Sequence, residues 1–171
     1  MFQQFTLLTV AVSLIAATGC KRPMTEFTST EYKFKASFPS KPTEQEQTAS
    51  GIKFKMFATE SKNGAYMVWV ADIPIPANES DAMLQQRLDG ARDGAIKNVG
   101  GTQKSSSAST LAGKYPGREF SAGITQPTEG LLRARIYLVG TRLYQVMVIG
   151  IDSYANSSEA TAFLNSFKLT E

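Results

Sequence analysis

Histidine is absent from this chain of 171 residues, and cysteine occurs once. The missing imidazole removes the usual general base near neutral pH, the Ser-His and Cys-His nucleophile pairs and the commonest zinc ligand. Most hydrolase mechanisms are closed by that omission. A single thiol allows no internal disulfide, so hydrophobic burial has to stabilise the fold unaided. Neither GxxxxGK[ST] nor GxGxxG occurs, and Gly100-Gly101 reads as a helix stop, not a phosphate cradle. The run from Phe5 to Ala17 carries no charge but is shorter than the roughly 20 residues that a bilayer core requires. Charge of either sign is sparse: 18 Lys and Arg stand against 15 Asp and Glu, a net +3 far from the balance of a nucleic-acid binder.

What is present starts at Cys20. It closes Ala17-Thr18-Gly19-Cys20 directly after the apolar run. This arrangement resembles the signal and lipid-attachment box of a bacterial lipoprotein. The resemblance implies a signal peptide over 1–19, cleaved beside small residues that lie extended in a protease groove, and acyl chains, palmitate among them, on the Cys20 thiol. One such chain holds a protein marginally, whereas two or three anchor it stably. The segment departs from that pattern in lacking Lys or Arg before Phe5 and in carrying Ala17 where Leu is commoner. The alternatives are an ordinary secretory signal with a stray thiol, or a start that hides a basic leader. The sorting rule of that class favours, with Lys21 after the cysteine, the periplasmic face of the outer membrane over the inner membrane.

About 150 residues remain after such cleavage, enough for one domain that buries roughly 70% of the surface its unfolded chain exposes. Lys21 to Thr30 reads as a polar tether behind the lipidated Cys20, and 31–171 as a single α+β domain. Tyr32, Phe34, Ala36 and Phe38 alternate with Lys33, Lys35 and Ser37, which predicts a strand with one buried face. Thr43 to Thr48 reads as an edge strand, Ser50-Gly51 as a turn, and Ile52 to Ala58 as a second alternating strand. Asn63-Gly64 predicts a hairpin into Ala65 to Ile73, apolar on both faces and therefore central and covered. Ser80 is placed to cap a helix whose stripe is Leu84, Leu88, Ala91, Ala95 and Val99. Gly90 and Gly94 within it suggest a close backbone approach. Lys104 to Thr110 reads as a weak edge strand, Tyr115-Pro116-Gly117-Arg118 as a type II turn, and Arg118 to Ala122, Leu131 to Val139 and Arg142 to Gly150 as strands. Asn156 and Glu159 predict a capping box for a last helix through Ala160, Phe163, Leu164 and Phe167. The recurrence of Lys-Phe-Lys reflects strand alternation, not a repeat.

Three stretches carry a second resemblance: the run from Tyr32 to Pro42, Leu132 to Val146 (Leu-Arg-Ala-Arg-Ile-Tyr-Leu-Val-Gly-Thr-Arg-Leu-Tyr-Gln-Val), and Phe163 to Leu169. Together they are similar to small bacterial proteins of the PsbP-like superfamily, DcrB-type lipoproteins included. That resemblance implies an antiparallel sheet sandwiched by helices, in proteins that serve as accessory or assembly factors. Metal sites of plant members depend partly on histidine, so no site residue is carried over.

Candidate binding residues come from charge. Lys33 and Lys35, Lys53 and Lys55, and Arg133 and Arg135 each occupy i and i+2 of a strand and so share a face. If their strands were neighbours, six cations would gather for an anionic headgroup, a phosphorylated glycan or an acidic partner. Ordinary solvated faces are the competing account, with Glu46 opposite Lys55. Asp89 and Asp93 share a helix face as a possible acid/base pair, but Lys97 makes a charge ladder the simpler reading. Trp69 reads as core, and Tyr115 to Glu119 as a plain turn with recognition the alternative.

The sequence therefore predicts a lipid-anchored cell-envelope protein without catalysis, cofactor, metal or nucleic acid, held to a membrane through Cys20 and binding an envelope protein. The alternatives are a binder of a small anionic ligand through the basic face and, behind it, a hydrolase using carboxylates.

Overall fold

Alternating apolar residues build most of the architecture. The computed structural model describes residues 23–49 and 51–170. These form ten strands and three helices: β1 (Thr25–Ser29), β2 (Phe34–Phe38), β3 (Thr43–Ala49), β4 (Ile52–Ser61), β5 (Gly64–Asp72), α1 (Asp81–Asn98), β6 (Gly101–Leu111), β7 (Tyr115–Ile124), β8 (Gly130–Val139), β9 (Arg142–Gly150), α2 (Asp152–Ala155), α3 (Ser158–Ser166) and β10 (Lys168–Leu169). Cys20, the 1–19 segment and Ser50 lie outside the described residues.

A seven-stranded antiparallel sheet runs in the order β3-β4-β5-β9-β8-β7-β6. One face is covered by α1, which crosses β6, β7 and β8. A mixed layer covers the other: the three-stranded sheet β1-β2-β10 together with α2 and α3. The family resemblance implied helices on both sides, and the strand layer is the addition.

Two apolar clusters result. Phe34, Ala36 and Phe38 of β2 face Phe57, Tyr66, Val68, Tyr144, Val146, Phe163 and Phe167, with Phe34 edge-on to Phe57 at 5.1 Å and Phe38 to Phe163 at 5.0 Å. Rings at these separations contribute beyond their buried area. On the opposite face Leu88, Ala95 and Ile96 of α1 pack on Phe120, Leu132, Ala134 and Ile136.

Most predicted elements appear where expected. Ser80 caps α1, its Oγ accepting from the Met83 amide at 3.4 Å, and Gly100 ends that helix at φ 61°. Several readings are corrected. Thr25–Ser29, read as tether, is β1 and pairs with β2. Tyr115-Pro116-Gly117-Arg118 is not a turn: it belongs to β7, and the hairpin closes at Ala112-Gly113-Lys114, where Ala112 and Gly113 take φ 53° and 66°. Ser157, not Asn156, caps α3, accepting from the Ala160 amide at 3.0 Å. Gly90 and Gly94 meet no neighbour that a Cβ would touch, so the close approach expected there is absent. Glycine is required instead at Gly64, where a Cβ would lie 2.1 Å from the Ile149 carbonyl oxygen and 2.7 Å from the Tyr154 ring.

Candidate functional site

The strand order separates the six candidate cations. β4, with Lys53 and Lys55, is parted from β8, with Arg133 and Arg135, by β5 and β9, while Lys35 belongs to the smaller sheet and Lys33 precedes it at φ 54°. The side-by-side pairing that would collect them does not occur. Their individual surroundings follow from the register. Glu26 lies 3.2 Å from Lys35 Nζ. Glu46 pairs with Lys55 across β3 and β4, as the turn spacing predicts, and the Lys55 ammonium sits 3.3 Å from Glu44 and 3.7 Å from Glu46. The Glu44 carboxylate holds that ammonium above its ordinary pKa. Lys53 and Lys55 line a concavity of about 550 Å³, but Glu46 and Asp72 line it too.

Arg133 and Arg135 fasten the helical layer. Arg133 Nη1 donates to the Ala155 carbonyl at 3.0 Å and to Thr161 Oγ1 at 3.1 Å. Arg135 Nη1 donates to the Leu164 carbonyl at 3.1 Å while its Nε reaches Glu119 at 3.0 Å. Carbonyls at the ends of α2 and α3 are groups that a helix leaves unpaired. Both arginines thus do structural duty.

The carboxylates are likewise engaged. Asp89 accepts from Arg118 Nε at 2.8 Å and Arg92 Nη1 at 3.0 Å, and Asp93 accepts from Arg92 Nε at 2.8 Å. Arg118 bonds Gln85 as well. The ladder predicted on α1 is therefore closed by arginines of α1 and β7, with Lys97 outside those bonds. Glu79, 6% exposed, receives Arg87 Nε and Nη2 at 2.6 and 2.7 Å, a bidentate pair. Arg142 grips Asp72 in the same way at 2.8 and 3.1 Å. Hydrogen bonds from Arg118, Arg87 and Arg142 hold Asp89, Glu79 and Asp72 below their ordinary pKa values. Such carboxylates stay ionised through neutral pH and are poorly matched to proton transfer there. Among the described residues no three His, Cys, Asp or Glu side chains are grouped to hold a metal ion.

One surface was not anticipated. Because α1 crosses β6 to β8, the half of that sheet face built by β4 and β5 is left without a helix. Phe54, Met56, Met67 and Trp69 project there half-buried, with Phe54 and Trp69 in edge contact at 5.8 Å. Met56 pairs with Trp69 and Trp69 with Gln145, so these residues form one row across three strands. The Trp69 Nε1 donor has no hydrogen-bond partner. Trp69 packs on the margin of the α1-side cluster, half-buried as a residue and with that Nε1 shielded from solvent. The sequence does show an apolar row on that face, but not where the helix crosses.

A further hollow of about 710 Å³ opens at the end of the sheet, between the Asn63-Gly64 hairpin, the C-terminus of α1 and the loop around Pro127. Its apolar walls include Val99, Ile124, Ile149 and Ile151.

Against solved structures the chain is similar to cyanobacterial PsbP (CyanoP) from Synechocystis sp. PCC 6803, with a TM-score of 0.63 over 91% of this chain and 98% of that one. The fold is PsbP-like. Sequence identity across the match is 9%, so the likeness is one of architecture. No family model and no curated protein matches the sequence. The solution structure of PsbP thereby supports the α+β sandwich read from the three sequence stretches. It carries no residue role across.

Proposed function

We propose that this chain is a lipid-anchored, non-catalytic accessory protein of the cell envelope, tied to the periplasmic face of a membrane through Cys20 and holding a protein partner on the uncovered half of its large sheet. The observation that carries the binding half is the row Phe54, Met56, Met67 and Trp69, apolar and aromatic on a rigid sheet where α1 leaves it open. Aromatic and methionine side chains are the types that interface cores enrich. The anchoring half rests on Ala17-Thr18-Gly19-Cys20 after a charge-free run.

Photocrosslinking from Met56 in the native envelope tests the binding half, with Ser107 on the exposed edge strand β6 as the comparison position. A discrete adduct with one envelope protein from Met56, lost on Trp69→Glu and absent from Ser107, is the expected result. Equal, diffuse labelling from both positions contradicts it.

A further inference from the structure

We propose that the strand-end surface around Ile151 lies against the lipid surface, an orientation that rests on the acylation of Cys20 proposed above. The argument starts from chain direction. Thr25 pairs with Phe38, and Ser29 with Phe34, so β1 begins at the Phe38 end of β2. Phe38 touches Phe163 at 5.0 Å, Phe163 touches Tyr66 at 5.2 Å, and Tyr66 touches Tyr154 at 5.1 Å. The Tyr154 amide in turn donates to the Ile151 carbonyl at 2.9 Å. β1 therefore emerges at the end of the molecule that carries Ile151.

The tether is short. Only Lys21, Arg22, Pro23 and Met24 separate Cys20 from β1, and Met24 already packs against the core. Even fully extended, that connection spans no more than about 18 Å. The opposite end is out of reach, since α1 alone runs about 27 Å from its start to the hollow beside Ile151.

Two large apolar side chains are strongly exposed among the described residues, Met83 at 46% and Ile151 at 40%. They sit at opposite ends, Met83 in the first turn of α1 and Ile151 in the wall of the hollow that the last turn of α1 borders. Ile124, Ile149 and Val99 extend the apolar surface around Ile151. Around the hollows at this end Lys62 and Lys104 offset Glu129 and Asp152, while the tether adds Lys21 and Arg22 directly beside Cys20. The contact around Ile151 is accordingly apolar, a shallow insertion at the headgroup boundary that a zwitterionic bilayer accepts, with the two tether cations adding attraction on an anionic one.

The test uses the full chain, matured and acylated, reconstituted in phosphatidylcholine vesicles. Acylation is verified first by mass, and because it consumes the Cys20 thiol, a nitroxide is attached through Ile151→Cys or, separately, Met83→Cys. The Ile151 label is expected to collide several-fold more with membrane-dissolved oxygen, relative to a water-soluble nickel chelate, than the Met83 label does. A Lys62→Cys label on the neighbouring hairpin reports the same ordering if Ile151→Cys disturbs folding. Acylated protein whose labels at Ile151 and Lys62 are as water-exposed as that at Met83 overturns the orientation and leaves the anchor standing. An unmodified Cys20 overturns both.

Discussion

Arg118 of β7 grips Asp89 of α1 through two guanidinium nitrogens, Nε at 2.8 Å and Nη2 at 3.3 Å. The arginine is 12% exposed and the carboxylate 39%, so the pair is partly shielded from solvent at the seam where helix meets sheet. Arg118→Met or Asp89→Asn is expected to cost about 1–2 kcal/mol, more than an open surface pair and less than a buried one. Urea unfolding of the two single variants and the double variant measures it, and the double variant should cost less than the sum.

Acid should unfold the protein earlier than its neutral stability suggests. Asp72, Glu79 and Asp89 are each held by an arginine below the unfolded values of 3.8 and 4.5. A depressed folded-state pKa contributes stability that is complete above the unfolded value and is lost as pH falls through the folded one. Urea midpoints should therefore be flat from about pH 6 to 5 and fall below about pH 4. Glu79→Gln combined with Asp72→Asn should lower the plateau and flatten the acid limb.

Thr59 offers a gain. Its side chain is buried on β4, and Oγ1 has no hydrogen-bond partner. Replacing that hydroxyl with a methyl in Thr59→Val removes an unsatisfied group while keeping the β-branched shape the strand favours. Thermal unfolding should show a stabilisation of about 1 kcal/mol.

Adjacent residues of β5 should respond oppositely. Val68 is fully buried against the small sheet, whereas Trp69 faces the uncovered half. Val68→Ala is expected to cost about 2 kcal/mol through lost burial and the cavity left behind. Trp69→Phe should change stability by less than about 1 kcal/mol, since it also removes an unpaired donor, while weakening capture of the partner crosslinked at Met56.

The elements legible in the sequence were those whose alternation is strict. Phe34, Ala36 and Phe38 announce β2, and Tyr66, Val68 and Val70 announce β5. β1 escaped because Thr-Glu-Phe-Thr-Ser offers one apolar residue, Phe27, and its place depends on the rings of Phe34, Phe38 and Phe57 that surround it. The β6–β7 hairpin was misplaced because Ala112 adopts a left-handed conformation that its side chain disfavours, while Pro116-Gly117, with ordinary turn chemistry, is drawn into the sheet. Gly117 fits there because a Cβ would lie 2.5 Å from the Ile136 carbonyl oxygen.

The candidate site was less legible for a topological reason. Alternation shows that Lys53 and Lys55 share a face, as do Arg133 and Arg135, but not that β9 returns between β5 and β8 to hold the pairs apart. Nor does it show that the two arginines end on carbonyls of α2 and α3. How far Trp69 is covered depends on where α1 crosses, which helix periodicity leaves open.

Mass spectrometry of the mature N-terminus tests the central claim most directly. The account predicts a chain that begins at Cys20 and carries acyl groups there, recovered with membranes. A chain that begins elsewhere, or one that begins at Cys20 with a free thiol and fractionates with soluble periplasmic protein, contradicts it.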